Sequence, residues 1–527
     1  MNLESENHTR LIHSLANPAI WPEGVGPDQV IETHISTVLL VGDYAYKIKK
    51  PLNLGFLDFS TLSRRRHFCL EEVRLNGRLA PSIYIDVIPI TGSFEKPQPF
   101  GEGEAIAYAV RMRRFDQSGL LSDHPELLTN EQVDSLAEQL VSFHAEVKVA
   151  GAETDFGRPE VVVLPMRENF EQIRALTDQL SLLARLEALE SWTEQQAERL
   201  SPVLLERKTA GFIRECHGDL HLGNIALNKG ELLIFDGIEF NPNLRWIDVI
   251  SELAFLLMDM DEKGLHGSAQ RLLNRYLELS GDYAAVSLLR FYQVYRAMVR
   301  AKVTAIRLNQ DGLDENLQTQ LKAEFHNYLE LAAAYTQSQA VGIIITHGFS
   351  GSGKSTQTQQ VLQAFPAIRI RSDSERRRIA GLAPTQSSQS DTGDGIYQAD
   401  FTARTYDRLK ALASLIVRAG WVAIVDATFL READREQFWK MAEELDVPFL
   451  ILDLKVVENC LRERIMQRQQ QGEDVSEATL KVLDAQLETA QPLTLEERQT
   501  ALVVESDHLP IEGVIARLQG KAFPADS

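Results

Sequence analysis

The sequence predicts two different folds in one chain: an α+β, two-lobed N-terminal part, then an α/β part built on a parallel sheet. Three observations carry this. Residues 35–49 follow a hairpin pattern around a Gly42-Asp43 turn, opening a strand-rich stretch that lasts to about residue 125. From there to about residue 338, apolar side chains recur at helical spacing. Beyond residue 340, short apolar runs alternate with helical patterns, the signature of βαβ units. The expected units are therefore 1–125, 126–338 and 339–527.

In the first unit, Ile35–Val41 and Tyr44–Lys49 are the hairpin strands. Lys47 and Lys49 share a face, because strand side chains alternate. A strand lysine facing a cleft can hold nucleotide phosphates; the plainer reading is an exposed edge-strand lysine. Ser60-Thr61 starts a helix from Leu62 to about Leu79, stopped by Ala80-Pro81. Glu72, rather than Glu71, is the choice to brace Lys47, and Arg64-Arg65-Arg66 reads as a solvated face. Ile83–Ile90 and Ala105–Met112 read as strands, with Glu95–Pro99 a loop between them.

In the second unit, Thr129-Asn-Glu-Gln132 fits a capping box. His144, in the helix that follows, reads as a packed core residue. Leu180–Leu200 is a further amphipathic helix. Then comes His217-Gly-Asp219-Leu-His-Leu-Gly-Asn224, a hairpin (Ile225–Leu227 and Leu232–Phe235), and Asp236. Asp219 can accept a proton from an attacking hydroxyl. Asn224 and Asp236, the latter brought back by the hairpin, can ligate one Mg²⁺. Phosphoryl transfer needs that combination of a carboxylate and hard oxygen ligands. His217 is expected to orient the loop backbone and Asp248 to clamp it. Asp259 and Asp261 read as helix-end or surface acids. Helices are expected at Ser251–Met260, Ser268–Leu279, Val286–Leu308 and Leu317–Tyr335. Arg296 and Arg300, one turn apart, can face an anionic acceptor; the plainer reading is a solvated face. The polar stretch Thr336–Ala340 is the boundary.

The third unit opens with the strand Val341–Thr346 and the run Gly348-Phe-Ser-Gly-Ser-Gly-Lys-Ser-Thr356, leading into a helix. Strand, glycine-rich turn, Lys-Ser and helix form a phosphate cradle. Gly348, Ser350, Gly351, Ser352, Gly353 and Thr356 supply backbone donors. The new helix adds the positive end of its dipole. Lys354 can reach the β- and γ-phosphates, and Ser355 can hold Mg²⁺. Ala367–Arg371 is a second strand, ending beside Asp373, which can orient or deprotonate an acceptor hydroxyl. Arg376 and Arg377 can hold an anionic acceptor. Residues 385–395 are a Ser-, Gln- and Gly-rich loop. Phe401–Ala419 is a helix. Trp421–Val425 is a third strand, and Asp426 after it is a Walker-B-type Mg²⁺ holder. After the strand Phe449–Leu454, Arg464 and Arg468 lie on one helix face, and Ser476–Leu487 is a second helix. The pair reads either as a lid whose arginines neutralise transition-state charge or as a helix with ordinary surface arginines.

Residues 1 to about 335 resemble the aminoglycoside phosphotransferase family, a branch of the protein-kinase-like fold. The resemblance rests on His217-Gly-Asp219…Asn224, Asp236, Tyr46-Lys47 and Glu72, and it implies a nucleotide held between two lobes. Two departures stand out: no G-x-G-x-x-G loop precedes Lys47, and Asp236-Gly-Ile-Glu239 replaces a D-F-G triplet, which adds Glu239 as a further ligand candidate. The third unit resembles P-loop kinases of small molecules and polynucleotide 5′-ends, gluconate-kinase-like and zeta-toxin-like members among them. The match covers Gly348–Thr356, Ser372-Asp373 with Arg376, Asp426 and Arg464/Arg468. The whole chain resembles bacterial fusions of the two.

The bulk composition sets bounds. A 44% apolar share is ordinary for globular protein, and a net charge of −21 argues against general binding to nucleic acid or anionic membrane. No apolar run approaches the roughly 18 residues of a membrane span, and Met1–Asn17 has no leader pattern. Cys69, Cys216 and Cys460 lie far apart, which suits a reducing cytoplasm better than a disulfide framework or zinc site. The resulting expectation is a cytoplasmic phosphotransferase with two ATP·Mg²⁺ sites, acting on hydroxyls of small-molecule or nucleotide-type acceptors. The alternative makes the P-loop half a nucleotide-dependent switch acting on the first half or on a partner.

Overall fold

The computed structural model describes residues 3–22, 24–55, 57–177, 180–310, 312–383, 386, 398–471, 479–505 and 509–519. The 385–395 loop, apart from residue 386, and the first residues of the helix expected at Ser476–Leu487, 476–478, lie outside that description. The chain folds into two compact units. One comprises residues 1–132, 142–263 and 295–329; the other comprises 133–141, 264–294 and 330–527.

The first unit begins with a six-stranded antiparallel sheet in the order β1-β2-β3-β6-β4-β5. The strands are β1 (Gln29–Glu32), β2 (Ser36–Val41), β3 (Tyr44–Lys49), β4 (Tyr84–Gly92), β5 (Pro97–Pro99) and β6 (Ala107–Arg113). The hairpin turns at Gly42-Asp43, as its pattern predicts, and puts Val38 opposite Lys47. The segment read as a loop at 95–99 contains β5 instead. Proline cannot donate to a ladder, so Pro97 and Pro99 are tolerated because β5 is an edge strand. The helix Leu62–Asn76 starts at Thr61, whose hydroxyl accepts from the Arg64 N–H, and packs on β4 and β6. Leu39, Tyr46, Ile48, Ile88, Ile90 and Ala109 form the lobe's core with Leu11, Leu15 and Trp21.

The rest of this unit is helical, with two small ribbons. β7 (Ile213–Glu215) pairs with β10 (Trp246–Asp248), and β8 (Ile225–Asn228) pairs with β9 (Glu231–Ile234). The second ribbon closes on Lys229-Gly230, both with positive φ (52° and 89°), as a tight two-residue hairpin requires. The helix Val249–Glu262 is buried along most of its length, with Asp248 capping it.

The second unit holds a five-stranded parallel sheet in the order β12-β13-β11-β14-β15. The strands are β11 (Gly342–His347), β12 (Ala367–Arg371), β13 (Val422–Asp426), β14 (Phe449–Leu454) and β15 (Ala501–Val504). Their apolar runs are buried almost continuously, which is what a strand covered on both faces needs. Val361 and Leu362 from the helix Lys354–Ala364, with Val514 and Leu518 from Ile511–Leu518, pack against Ile344, Ile424, Leu450 and Leu452. The free edge of β12 is closed by the helix His266–Ser280. Asn274 donates to the Ala367 carbonyl (2.9 Å) and accepts from the Arg369 N–H (2.7 Å), as a neighbouring strand would.

Candidate functional site

In the first unit, strand alternation puts Lys47 and Lys49 on one face of β3, and both reach Glu72 on the adjacent helix. Lys47 Nζ is 2.9 Å from Glu72 Oε1, and Lys49 Nζ is 2.6 Å from Glu72 Oε2. Lys47 also reaches Asp236 Oδ1 at 2.6 Å, and Lys49 pairs with Glu239. Burial works against the charged form of each lysine, but the carboxylates outweigh it and raise both pKa values, through Asp236 and Glu72 at Lys47 and through Glu239 and Glu72 at Lys49. Glu72 is held charged in turn, because the two lysines overcome the effect of its burial.

The segment His217–Asn224 is pinned from one helix. Glu252 Oε2 accepts the N–H groups of His217 (2.7 Å) and Gly218 (3.0 Å), and Asp259 Oδ2 accepts that of Leu222 (2.9 Å). Glu252 and Asp259 are seven residues apart, two helical turns, and so share a face. Arg296 closes the other side, donating to the carbonyls of Gly218 (3.4 Å) and Ser251 (3.3 Å). These contacts correct two expectations. Asp259 is buried and loop-holding rather than a surface acid, and Arg296 is buried rather than solvated. Arg300 pairs with Tyr328 and Glu324. Asp248 clamps the Arg207 guanidinium (2.6 and 2.8 Å), while Glu252 takes the loop-holding role expected of Asp248. Gly218 has φ 89°, and a Cβ there would meet the Leu244 carbonyl at 2.7 Å, so glycine is required.

The His217 ring accepts from the Asp219 N–H (3.3 Å) and sits 2.9 Å from the Phe235 carbonyl, so Nε2 carries the proton of a neutral imidazole. Burial lowers its pKa accordingly. Asn224 Nδ2 donates to the Asp219 carbonyl (2.9 Å) and to Asp219 Oδ2 (3.2 Å), which leaves the Asn224 Oδ1 oxygen for a cation. His221 lies 3.4 Å from Asp219 Oδ2. Burial would raise the Asp219 pKa, but His221, His217 and Arg300 hold it well below the usual range. His221 moves oppositely: burial lowers its pKa, and Asp219 and Asp259 raise it further than that.

Asp236 follows β9 with φ 62°, a left-handed conformation uncommon for a non-glycine residue. Tyr84 Oη accepts its N–H (3.2 Å), and Asn76 Oδ1 accepts that of Gly237 (2.7 Å). Held strain of this kind concentrates at functional sites. Carboxylate and amide oxygens make a donor set suited to a hard cation such as Mg²⁺.

In the second unit, the phosphate loop joins β11 to the helix Lys354–Ala364. Gly351 and Gly353 have φ 85° and 88°. A Cβ on Gly351 would lie 3.0 Å from the Leu461 carbonyl. Ser352 Oγ is buried without a protein partner among the described residues, an orphan that a phosphate oxygen would satisfy. Lys354 Nζ donates to the carbonyls of Phe349 (2.8 Å) and Gly348 (3.2 Å). Ser355 Oγ donates to Asp426 Oδ2 (2.7 Å), although 71 residues separate them in sequence. Thr356 is exposed on the first helical turn, and Asp373 is half-buried in the first turn of the helix Ser372–Ile379 that follows β12.

The two helices expected to form a lid meet this loop. Glu458–Gln471 brings an Arg464 guanidinium nitrogen to 3.6 Å from the Cβ position of Gly353. Leu480–Thr489 brings Gln486, whose Oε1 accepts the Ser350 N–H (2.9 Å) and whose Nε2 donates to Ser350 Oγ (3.0 Å). Phe349 packs with Leu461, Ile465 and Leu483 of the two helices. The side chain of Arg468 lies outside the described residues. Arg376 donates to Thr402 Oγ1 at 3.4 Å, and Arg377 is buried.

Sequence reasoning missed Asn76, Tyr84, Glu252 and Gln486, and the pairing of Lys49 with Glu72 and Glu239. Only Lys49 carried a local signal, its shared strand face with Lys47.

Two family models match separate stretches of the chain, and neither follows the bounds of the two compact units. A phosphotransferase enzyme family model matches residues 93–289, and an AAA domain model matches 343–493. The uncharacterized protein Rv2004c of Mycobacterium tuberculosis is 30% identical over 401 residues, 76% of this chain and 78% of its own. Among solved structures, a choline/ethanolamine kinase family protein from Mesorhizobium loti covers 62% of this chain and 99% of its own at 14% identity, with a TM-score of 0.37. A gluconokinase from Sinorhizobium meliloti 1021 covers 34% and 91% at 18% identity, with a TM-score of 0.24. The chain belongs to the family of the mycobacterial protein, and it is a kinase-like phosphotransferase in which a phosphotransferase-family domain is joined to a P-loop domain of the AAA class.

Proposed function

We propose that both units transfer the terminal phosphoryl group of ATP, with Mg²⁺, to hydroxyl groups of small-molecule or nucleotide-type acceptors in the cytoplasm. The observation that carries this is the meeting of Lys47 and Asp236 at 2.6 Å across 189 residues of sequence, with Asn224 bonded to Asp219 and the Asn224 main-chain carbonyl accepting the N–H of Phe235, the residue before Asp236. The second unit supports the same chemistry with Lys354, Ser355 and Asp426. Free Cys69, Cys216 and Cys460 suit a reducing compartment. Among the described residues no helix is long and apolar enough to cross a membrane.

In the first unit Lys47, braced by Glu72, would bind the phosphates. Asp219, kept ionised, would take the acceptor hydroxyl's proton as its oxygen bonds to phosphorus and ADP leaves. In the second, Lys354 and the loop N–H groups would hold the phosphates, Asp373 would orient the acceptor, and Arg464 would offset developing charge. Mg²⁺, when bound, supplies charge neutralisation on the phosphates; Asn224 and Asp236 would hold it in one unit, Ser355 and Asp426 in the other. The experiment is incubation of the full chain with γ-labelled ATP, Mg²⁺ and a metabolite extract. Labelled hydroxyl compounds are the result expected, and label released only as inorganic phosphate would contradict the proposal.

A further inference from the structure

We infer that Glu278, on the helix His266–Ser280, is a positioning residue for the P-loop unit, holding Arg371 off the metal-binding carboxylate of Asp426. This rests on the reading of Asp426 as a Mg²⁺ holder. Glu278 falls within the stretch matched by the phosphotransferase model, not within 343–493, yet it belongs to the compact unit that contains the phosphate loop.

The geometry is specific. Glu278 is buried, and its Oε1 accepts from Arg371 Nη1 (3.1 Å) and from Ser374 Oγ (2.6 Å), while its carbonyl accepts from Arg378 (2.5 Å). Arg371 Nε stands 3.8 Å from Asp426 Oδ2, the same oxygen that accepts the Ser355 hydroxyl at 2.7 Å. Arg371 is thus shared between two carboxylates and lies nearer to Glu278. A guanidinium drawn fully onto Asp426 would form a charge-assisted pair there and compete with Mg²⁺ for the carboxylate. Glu278 keeps its own charge, since Arg371 and Arg369 outweigh the effect of burial, so it can hold that guanidinium. One turn earlier on the same helix, Asn274 fixes β12, the strand that ends in Arg371.

The test uses the full chain carrying Asp236→Asn, which disables the first unit's metal set. The readout is the Mg²⁺ concentration that half-saturates binding of a fluorescent ATP analogue. Adding Glu278→Gln is expected to raise it about tenfold, the usual scale for losing a group that orients a metal ligand. Adding Arg371→Gln as well is expected to restore the parent value, because the competing guanidinium is gone. An unchanged requirement in Glu278→Gln, or a raised one that Arg371→Gln leaves raised, would overturn the inference. Should Glu278→Gln fail to fold, Arg371→Gln alone decides: a requirement at or below the parent's supports the inference, and a higher one overturns it. If the parent binds no nucleotide, the reading of the P-loop site itself falls.

Discussion

Lys49 Nζ and Glu72 Oε2 lie 2.6 Å apart with both side chains closed to solvent, directly beside the more accessible Lys47. Two lysines on one strand face therefore have different tasks. Lys49 neutralises buried acids, and Lys47, paired with Glu72 and Asp236, is the lysine proposed to meet the nucleotide. Lys49→Met removes the ion-pair partner of buried Glu239 and leaves Glu72 to Lys47 alone, and it is expected to cost about 3–5 kcal/mol of stability, read from urea unfolding. Lys47→Met is expected to weaken nucleotide binding far more than it lowers the unfolding midpoint. Equal effects of the two on stability would argue against this division.

The His221–Asp219 pair makes stability pH-dependent in a stated direction. The His221 pKa is raised in the folded state. Its contribution is fully present below the unfolded value of about 6.5 and fades as pH rises through the folded value. His221→Gln should therefore narrow the stability gap to wild type on moving from about pH 5.5 to about pH 8.5. Denaturant midpoints at the two pH values check this; a gap that widens with pH has the wrong sign.

Asn274 stands in for a strand at the edge of β12. Asn274→Leu leaves the Ala367 carbonyl and Arg369 N–H unpaired and should cost about 1–3 kcal/mol. Hydrogen exchange at Arg369 should rise selectively, while that of β11, at the sheet's centre, changes little.

The legible parts of this molecule were those encoded by local spacing. The phosphate loop, the His217–Asn224 run and the Gly42-Asp43 hairpin each lie within a short continuous stretch of sequence. The illegible parts depend on partners distant in sequence. Nothing near Glu252 announces that it accepts two loop N–H groups 34 and 35 residues away. Arg296 and Arg300 show a shared helix face but not whether that face is buried. Glu278 and Asn274 sit on a helix that reads as part of the first half, and only the fold brings them to the P-loop sheet.

Phosphoryl transfer from γ-labelled ATP by the full chain, compared across wild type, Asp219→Asn, Lys354→Ala and the double variant, bears most directly on the central claim of two working sites. Each single variant should lose one part of the labelled products and keep the other, with Asp219→Asn lowering its own part by about 10²–10⁴-fold, and the double variant should lose both. Transfer that survives both substitutions, or that either one abolishes entirely, would contradict the claim.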